Sequence, residues 1–153
     1  MEDLMSSKEM EDTLYYQDYI VRNLFYKLGW AINQLASKRC NIEIGESMAG
    51  VEIKQDKKMA DTGNIYIETA EIHFGNSFVP SGVNRKDNTI FYCIGNWDTA
   101  YIFVKKQLKY LCDNYHKLGF KYTETPTSKG ILIPLSYFDK HPLYVVAQIS
   151  LGV

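Results

Sequence analysis

Hydrophobic positions along this chain change period between its first third and its middle. From residue 12 to about residue 37 they recur at three- and four-residue spacing, with Ile20, Leu24, Leu28 and Ile32 in one line and Val21, Phe25 and Leu35 beside it. That spacing predicts one long amphipathic helix, bent at Gly29 and capped by Asp12 or Thr13. Residues 1–11 carry Met, Ser and acids without a sustained apolar period, so they are expected to form a flexible acidic lead-in to a single domain over 12–153. Tyr15, Tyr16, Tyr19 and Tyr26 could stack on bases, but aromatics at helical spacing usually belong to a core, and that reading is adopted.

The period then becomes two. Residues 40–46 alternate, Ser47 to Gly50 can turn the chain, and in 51–56 Val51 and Ile53 share one face while Glu52, Lys54 and Asp56 share the other. A connection at 57–63 leads to a third alternating run over 64–72, and the short links predict an antiparallel meander. Residues 74–88, with Gly75, Pro80, Gly82 and Asn84, read as loop. Two strands are expected at 89–94 and 100–104, flanking a turn at 95–98. A helix follows over 105–116, with Leu108, Leu111 and Tyr115 on one face, Lys105, Lys106 and Lys109 off it, and Gly119 as its stop. Residues 131–135 read as a strand, and 144–151 fit either a strand or a helix. The fold class is mixed α/β: an N-terminal helix, a mixed central sheet containing the meander, and a flanking helix.

With 153 residues, 46% hydrophobic and 23% charged, including 12 Tyr and 7 Phe, the chain has the size and composition of one packed domain rather than a disordered segment. Its net charge of −1 conceals an uneven distribution. Residues 1–18 hold six acids against Lys8 alone, which leaves 16 Lys and Arg against 12 acids in the remainder. A mildly basic body suits a nucleic-acid groove. Cys40, Cys93 and Cys112 are odd in number and widely spaced, and His73, His116 and His141 lack zinc-ligand spacing, so neither a disulfide framework nor a zinc site is expected. No basic start followed by an apolar run and no stretch of 18 apolar residues occurs. A reduced, cytoplasmic protein that does not engage a membrane is the expectation.

Chemistry concentrates on the second and third alternating runs. Side chains at i and i+2 of a strand point the same way, about 6.6 Å apart, so Glu52, Lys54 and Asp56 form a row that Glu68 can join if 58–63 closes a hairpin. Glu46, on the run before, lies within reach of the same row. Glu71 is set aside, because regular alternation puts it on the face opposite Glu68. Phosphodiester hydrolysis needs such a set: carboxylates to hold a hard divalent cation that neutralises charge on the attacking and leaving oxygens, and a lysine to orient or deprotonate water. A charged row is equally what the solvated face of a half-buried sheet presents. Lys57, Lys58, Arg85 and Lys86 could contact a phosphate backbone, although loop cations are also simply solvated, and Thr62-Gly63-Asn64 carries turn chemistry beside the acids. The Lys105, Lys106 and Lys109 face reads as solvated helix surface.

Four blocks occur in a shared order: Gly50-Val-Glu-Ile-Lys-Gln-Asp56, Thr62-Gly-Asn64, Ile67-Glu68 and Pro80-Ser-Gly82. In that order they resemble a group of small phage and bacterial proteins of the PD-(D/E)XK nuclease superfamily, over about residues 45–85. The resemblance implies a restriction-endonuclease-like core, bound Mg²⁺ or Mn²⁺, and endonucleolytic cleavage of DNA, with a homodimer needed if both strands are cut together. It allows two placements. In one, Asp56 and Glu68 are the metal-binding acids and Lys54 supplies the lysine from the adjacent strand, since Ala70 stands where a lysine would follow Glu68. In the other, Glu46 is the first acid and Glu52-Ile-Lys54 is the Glu-x-Lys element. The first has the longer, more usual gap between acids and is preferred, with Glu52 sharing in catalysis. The alternative function is a catalytically degenerate nuclease-fold module that binds DNA or protein.

Overall fold

The computed structural model describes residues 7–25 and 50–151. The rest of the expected long helix, the run at 40–46 and Glu46 lie outside the described residues. Helix α1 spans Ser7–Ile20 and continues through a π-helical turn at Val21–Phe25. It begins inside the expected lead-in, so Asp12 and Thr13 are interior positions. The Thr13 hydroxyl donates to the Glu9 carbonyl within the helix instead of capping it.

The chain then forms β1 (Val51–Gln55), a helical turn α2 (Met59–Thr62), β2 (Asn64–His73), β3 (Ser77–Pro80), β4 (Phe91–Gly95) and β5 (Thr99–Val104). These are followed by α3 (Lys105–Asp113), α4 (Tyr115–Leu118), β6 (Lys121–Glu124), β7 (Ser128–Pro134), α5 (Leu135–Lys140) and β8 (Ala147–Ser150). Mixed α/β architecture is therefore present. The undecided C-terminal run is a strand, Gly119 ends α4 with φ +76°, and the stretch read as loop contains β3.

The strands make two four-stranded sheets, in the orders β1-β4-β5-β8 and β3-β2-β7-β6. The first is mixed, with β1 parallel to β4 and the other pairs antiparallel. The second is antiparallel throughout. The hairpin expected between β1 and β2 does not form. Parallel pairing of β1 with β4 requires a long crossover, and β2 and β3 lie within that crossover as part of the other sheet. Gly63, with φ +66°, closes α2 and turns the chain into β2.

Burial explains the arrangement. On one side of the first sheet, Tyr16, Ile20, Leu24 and Phe25 of the leading helix pack on Val51, Ile53, Cys93 and Ile102. On its other side, Tyr92, Ile94, Tyr101 and Phe103 meet Ile65, Ile67, Ile131 and Ile133 of the second sheet, with Leu108 and Leu111 of α3. Both faces of β1 are thus covered. Tyr16 is fully buried, as the core reading of the helix aromatics requires, but Tyr15 is 66% exposed.

Candidate active site

Glu52 and Lys54 stand opposite Tyr92 and Ile94 in the parallel register, so they point between the two sheets, into the face expected to be solvated. Glu52 is 2% exposed, and its Oε1 meets Lys54 Nζ at 2.7 Å. Its Oε2 is buried, without a hydrogen-bond partner, and lies 3.9 Å from Arg85 Nη2. The Tyr92 hydroxyl is buried nearby and meets no group at hydrogen-bonding geometry. Burial and then the Glu52 charge push the Tyr92 pKa far up, so the phenol stays protonated. Lys54 is 41% exposed and links the buried carboxylate to solvent.

A second carboxylate supports this pair from behind. The side chain of Asp87 is fully buried and accepts from Arg85 Nε at 2.8 Å, Lys105 Nζ at 2.8 Å and the Thr89 N–H at 2.9 Å. Burial pushes its pKa up, but the hydrogen bonds from Lys105, Arg85 and Thr89, with the Lys105 charge, outweigh it and hold the carboxyl at about 2. Lys105, read from sequence as helix surface, is drawn inward because it opens α3 directly after β5, next to Asp87. No periodic signal marked Asp87 or Tyr92, since both are polar groups buried by tertiary packing.

The other expected site residues are used differently. Asp56 accepts from the Lys58 N–H at 3.0 Å and the Tyr66 N–H at 2.9 Å, so each carboxylate oxygen ties the end of β1 to α2 or β2. Glu68 lies on the second sheet. Alternation puts it beside Tyr66, on the face opposite buried Ile65 and Ile67, and its Oε1 accepts from the Ser81 hydroxyl at 2.7 Å. The row of Glu52, Lys54, Asp56 and Glu68 on one face is therefore not formed. A bulge between Glu68 and Ala70 shifts the register and sets Glu71 opposite Ser128, on the Glu68 face after all. Lys57, Lys58 and Lys86 are exposed, as phosphate contacts require, whereas Arg85 is 25% exposed and committed to Asp87. His73, His116 and His141 lie at the surface.

Compared with known protein families, curated proteins and solved structures, the chain matches none. The chemistry must be judged on the donors themselves. Among the described residues no group of three or more His, Cys, Asp or Glu could hold a metal ion. Burial pushes the thiols of Cys93 and Cys112 up to about 12, so neither is a thiolate nucleophile at neutral pH. Glu52 fits as one carboxylate ligand through Oε2, whereas the Asp56 oxygens already accept backbone N–H groups.

The segment that carries Arg85 into place is pinned by Ser81 and Gly82. Gly82 has φ +52°, and a Cβ there would lie 2.2 Å from the Glu68 carbonyl oxygen. Gly82→Ala is expected to cost about 1–3 kcal/mol through overpacking and strain, read as a lower urea midpoint. A change within experimental error would mean that this close approach is not maintained in solution.

Proposed function

We propose that this chain is a metal-dependent endonuclease that hydrolyses DNA phosphodiester bonds, with Glu52-Ile53-Lys54 as its Glu-x-Lys element. The observation that carries the reading is the inward-facing pair itself: a nearly inaccessible carboxylate bonded to a half-exposed lysine, with its other oxygen held by no hydrogen bond and only 3.9 Å from Arg85. Buried carboxylates are costly unless paired or metal-bound. This geometry favours the placement in which Glu46 is the first acid, because Asp56 and Glu68 are engaged elsewhere.

In this reading Glu52 Oε2 would be a ligand to Mg²⁺ or Mn²⁺, which when bound supplies a Lewis acid for the phosphate. Lys54, a partly solvated ammonium held by Glu52, orients the attacking water and offsets charge on the phosphate, and the proton of the water passes to bulk solvent. Arg85, anchored by Asp87, directs positive charge at the phosphate oxygens. Exposed Lys57, Lys58 and Lys86 contact the flanking backbone. Manganese titration calorimetry tests the site: the wild type takes up Mn²⁺, Glu52→Gln loses the heat signal, and Asp56→Asn keeps it. Retention in Glu52→Gln, or loss in Asp56→Asn, would contradict the placement.

One observation favours a second reading, a nuclease-fold module that binds DNA without cutting it. Every oxygen of Asp56 and Asp87 is engaged by protein donors, and Lys54 already compensates Glu52. DNA binding by folded protein with no nicking in Mg²⁺, Mn²⁺ or Co²⁺ would establish that reading over the enzymatic one.

A further inference from the structure

A pocket of about 550 Å³ opens at the C-terminal end of β1, lined by Tyr15 of α1, Gln55, Lys57, Asn96, Trp97 and Asp12. Its size lies in the range of small-molecule sites. Trp97 is 41% exposed and Tyr15 66% exposed. Trp97 does not hang free, because Tyr16 and Tyr19 pack against it in edge-to-face arrangements at centroid distances of 5.4 and 4.9 Å. The Asn96 side chain is fixed as well, since its Oδ1 accepts from the N–H groups of Asp98 and Thr99 at 2.9 Å each. The indole is therefore presented as a held plane rather than a mobile side chain.

Three features restrict what fills this pocket. The aromatic surfaces call for a flat apolar ligand. Gln55 lines the pocket and its Oε1 is buried without a hydrogen-bond partner; a small rotation of the side chain toward the opening lets it accept a ligand N–H, which relieves the cost of a buried acceptor left unmade. At the rim, Lys57 Nζ is only loosely paired with Asp12 at 3.9 Å, both more than half exposed, and can turn to an anion. A flat ring carrying an amino group, attached to an anionic backbone, meets all three.

We propose that this pocket binds one unpaired nucleobase bearing an exocyclic amino group, in a single-stranded or frayed stretch of the DNA substrate. The base stacks on Trp97, its amino group donates to Gln55 Oε1, and Lys57 meets the adjoining phosphate. Base stacking on aromatics is a general device for holding single strands. The proposal rests on the nuclease reading and deepens it: Gln55 directly follows Lys54 and points to the opposite face of β1, an edge strand among the described residues, so base pocket and cleavage site lie on the two sides of the same strand end. A base held here fixes which phosphodiester reaches Lys54, and it makes adenine or cytosine preferable to thymine, which has no exocyclic amino group.

The test uses full-length protein with Trp30 replaced by Phe, so that Trp97 is the one remaining indole. Deoxyadenosine monophosphate is expected to quench its emission, and deoxyribose 5-phosphate is not. With labelled dA12, dC12 and dT12 read by anisotropy, the expected order is dA and dC tighter than dT. Tyr15→Ala and Trp97→Ala are expected to weaken dA12 binding by about 5-fold to about 150-fold, the span of a stacking contact. Trp97→Phe retains most of the affinity, which separates stacking from misfolding. Gln55→Leu is expected to erase the difference between dA and dT. Equal binding of dA and dT by the wild type, or unchanged binding in Tyr15→Ala, would overturn the base pocket. If Lys54→Ala still abolished plasmid nicking, the nuclease reading would stand without the pocket; absence of any oligonucleotide binding and any nicking would remove both.

Discussion

Replacing Lys54 with Ala is expected to lower Mg²⁺-dependent nicking of plasmid DNA by about 10²–10³-fold, the usual effect of removing one positioned electrostatic donor. Lys54 is the group of the Glu52 pair that reaches solvent, so it is the one able to meet a water beside a bound phosphate. The same substitution removes the 2.7 Å contact that compensates a carboxylate only 2% exposed. Stability must therefore be measured alongside activity. The double variant Glu52→Gln, Lys54→Met supplies the control, because it removes both charges of the pair and still fills the space. It is expected to unfold near the wild-type midpoint while remaining inactive. Nicking by Lys54→Ala at the wild-type rate, in the same metal, would end the proposal that this lysine orients the water and offsets phosphate charge.

Asp87→Ala is expected to lower unfolding free energy by about 3–5 kcal/mol, because it strands Arg85 and Lys105 beside a site from which their shared carboxylate has gone. The Asp87 side chain is fully inaccessible, and its two cationic partners are 25% and 12% exposed. The contrast is Asp113, which pairs with Lys109 at 2.9 Å on the surface of α3, both about half exposed. Asp113→Ala is expected to cost only about 0.3–0.5 kcal/mol. Urea denaturation of the two variants checks the difference, and similar small losses would show that Arg85 and Lys105 turn outward without penalty.

The pH dependence follows from the direction of the Asp87 shift. Its folded pKa of about 2 lies below the ordinary 3.8, so the folded state holds its proton less tightly than the unfolded chain does. The stabilisation is complete above about pH 4. It fades as the pH falls through about 2. Asp87→Asn is expected to flatten the acid limb of stability in that window, measured by thermal melts at constant ionic strength. Neutral-pH stability alone does not distinguish the charge from the packing, but the slope of that limb does.

Much of the fold was legible because local pattern and global burial agreed. The helical period over 12–25, the alternation of β1, β2, β4 and β5, the amphipathic α3 and the stop at Gly119 all correspond to elements in the described residues. Strand pairing was not legible in the same way. Alternation says which residues share a face but not which edge meets which, and the short link after β1 suggested a hairpin that the parallel partner β4 excludes. β6 and α5 carry short, mixed patterns that gave no periodic signal.

The site was legible in part. Glu52 and Lys54 stood out by their spacing, yet polar residues alternating with Val51 and Ile53 ordinarily mark a solvated face. Here the second sheet covers that face. Asp56 and Glu68 carried the same spacing signal but were taken up by the turn into β2 and by Ser81. Asp87, Tyr92 and Lys105 reached the site only because the crossover from β2 to β4 and the start of α3 come together beside β1.

By itself, then, the sequence determined the packed mixed α/β domain, the charged strand 51–56 and the candidate chemistry of an acid two residues from a lysine. Those are properties of period and residue type, which act within a few residues. Tertiary structure decided that Glu52 is buried, that Lys54 and Arg85 flank it, and that Asp56 and Glu68 have other duties. Those depend on which two sheets face each other, and that is set by hydrophobic burial between segments far apart in the chain, which local spacing does not encode.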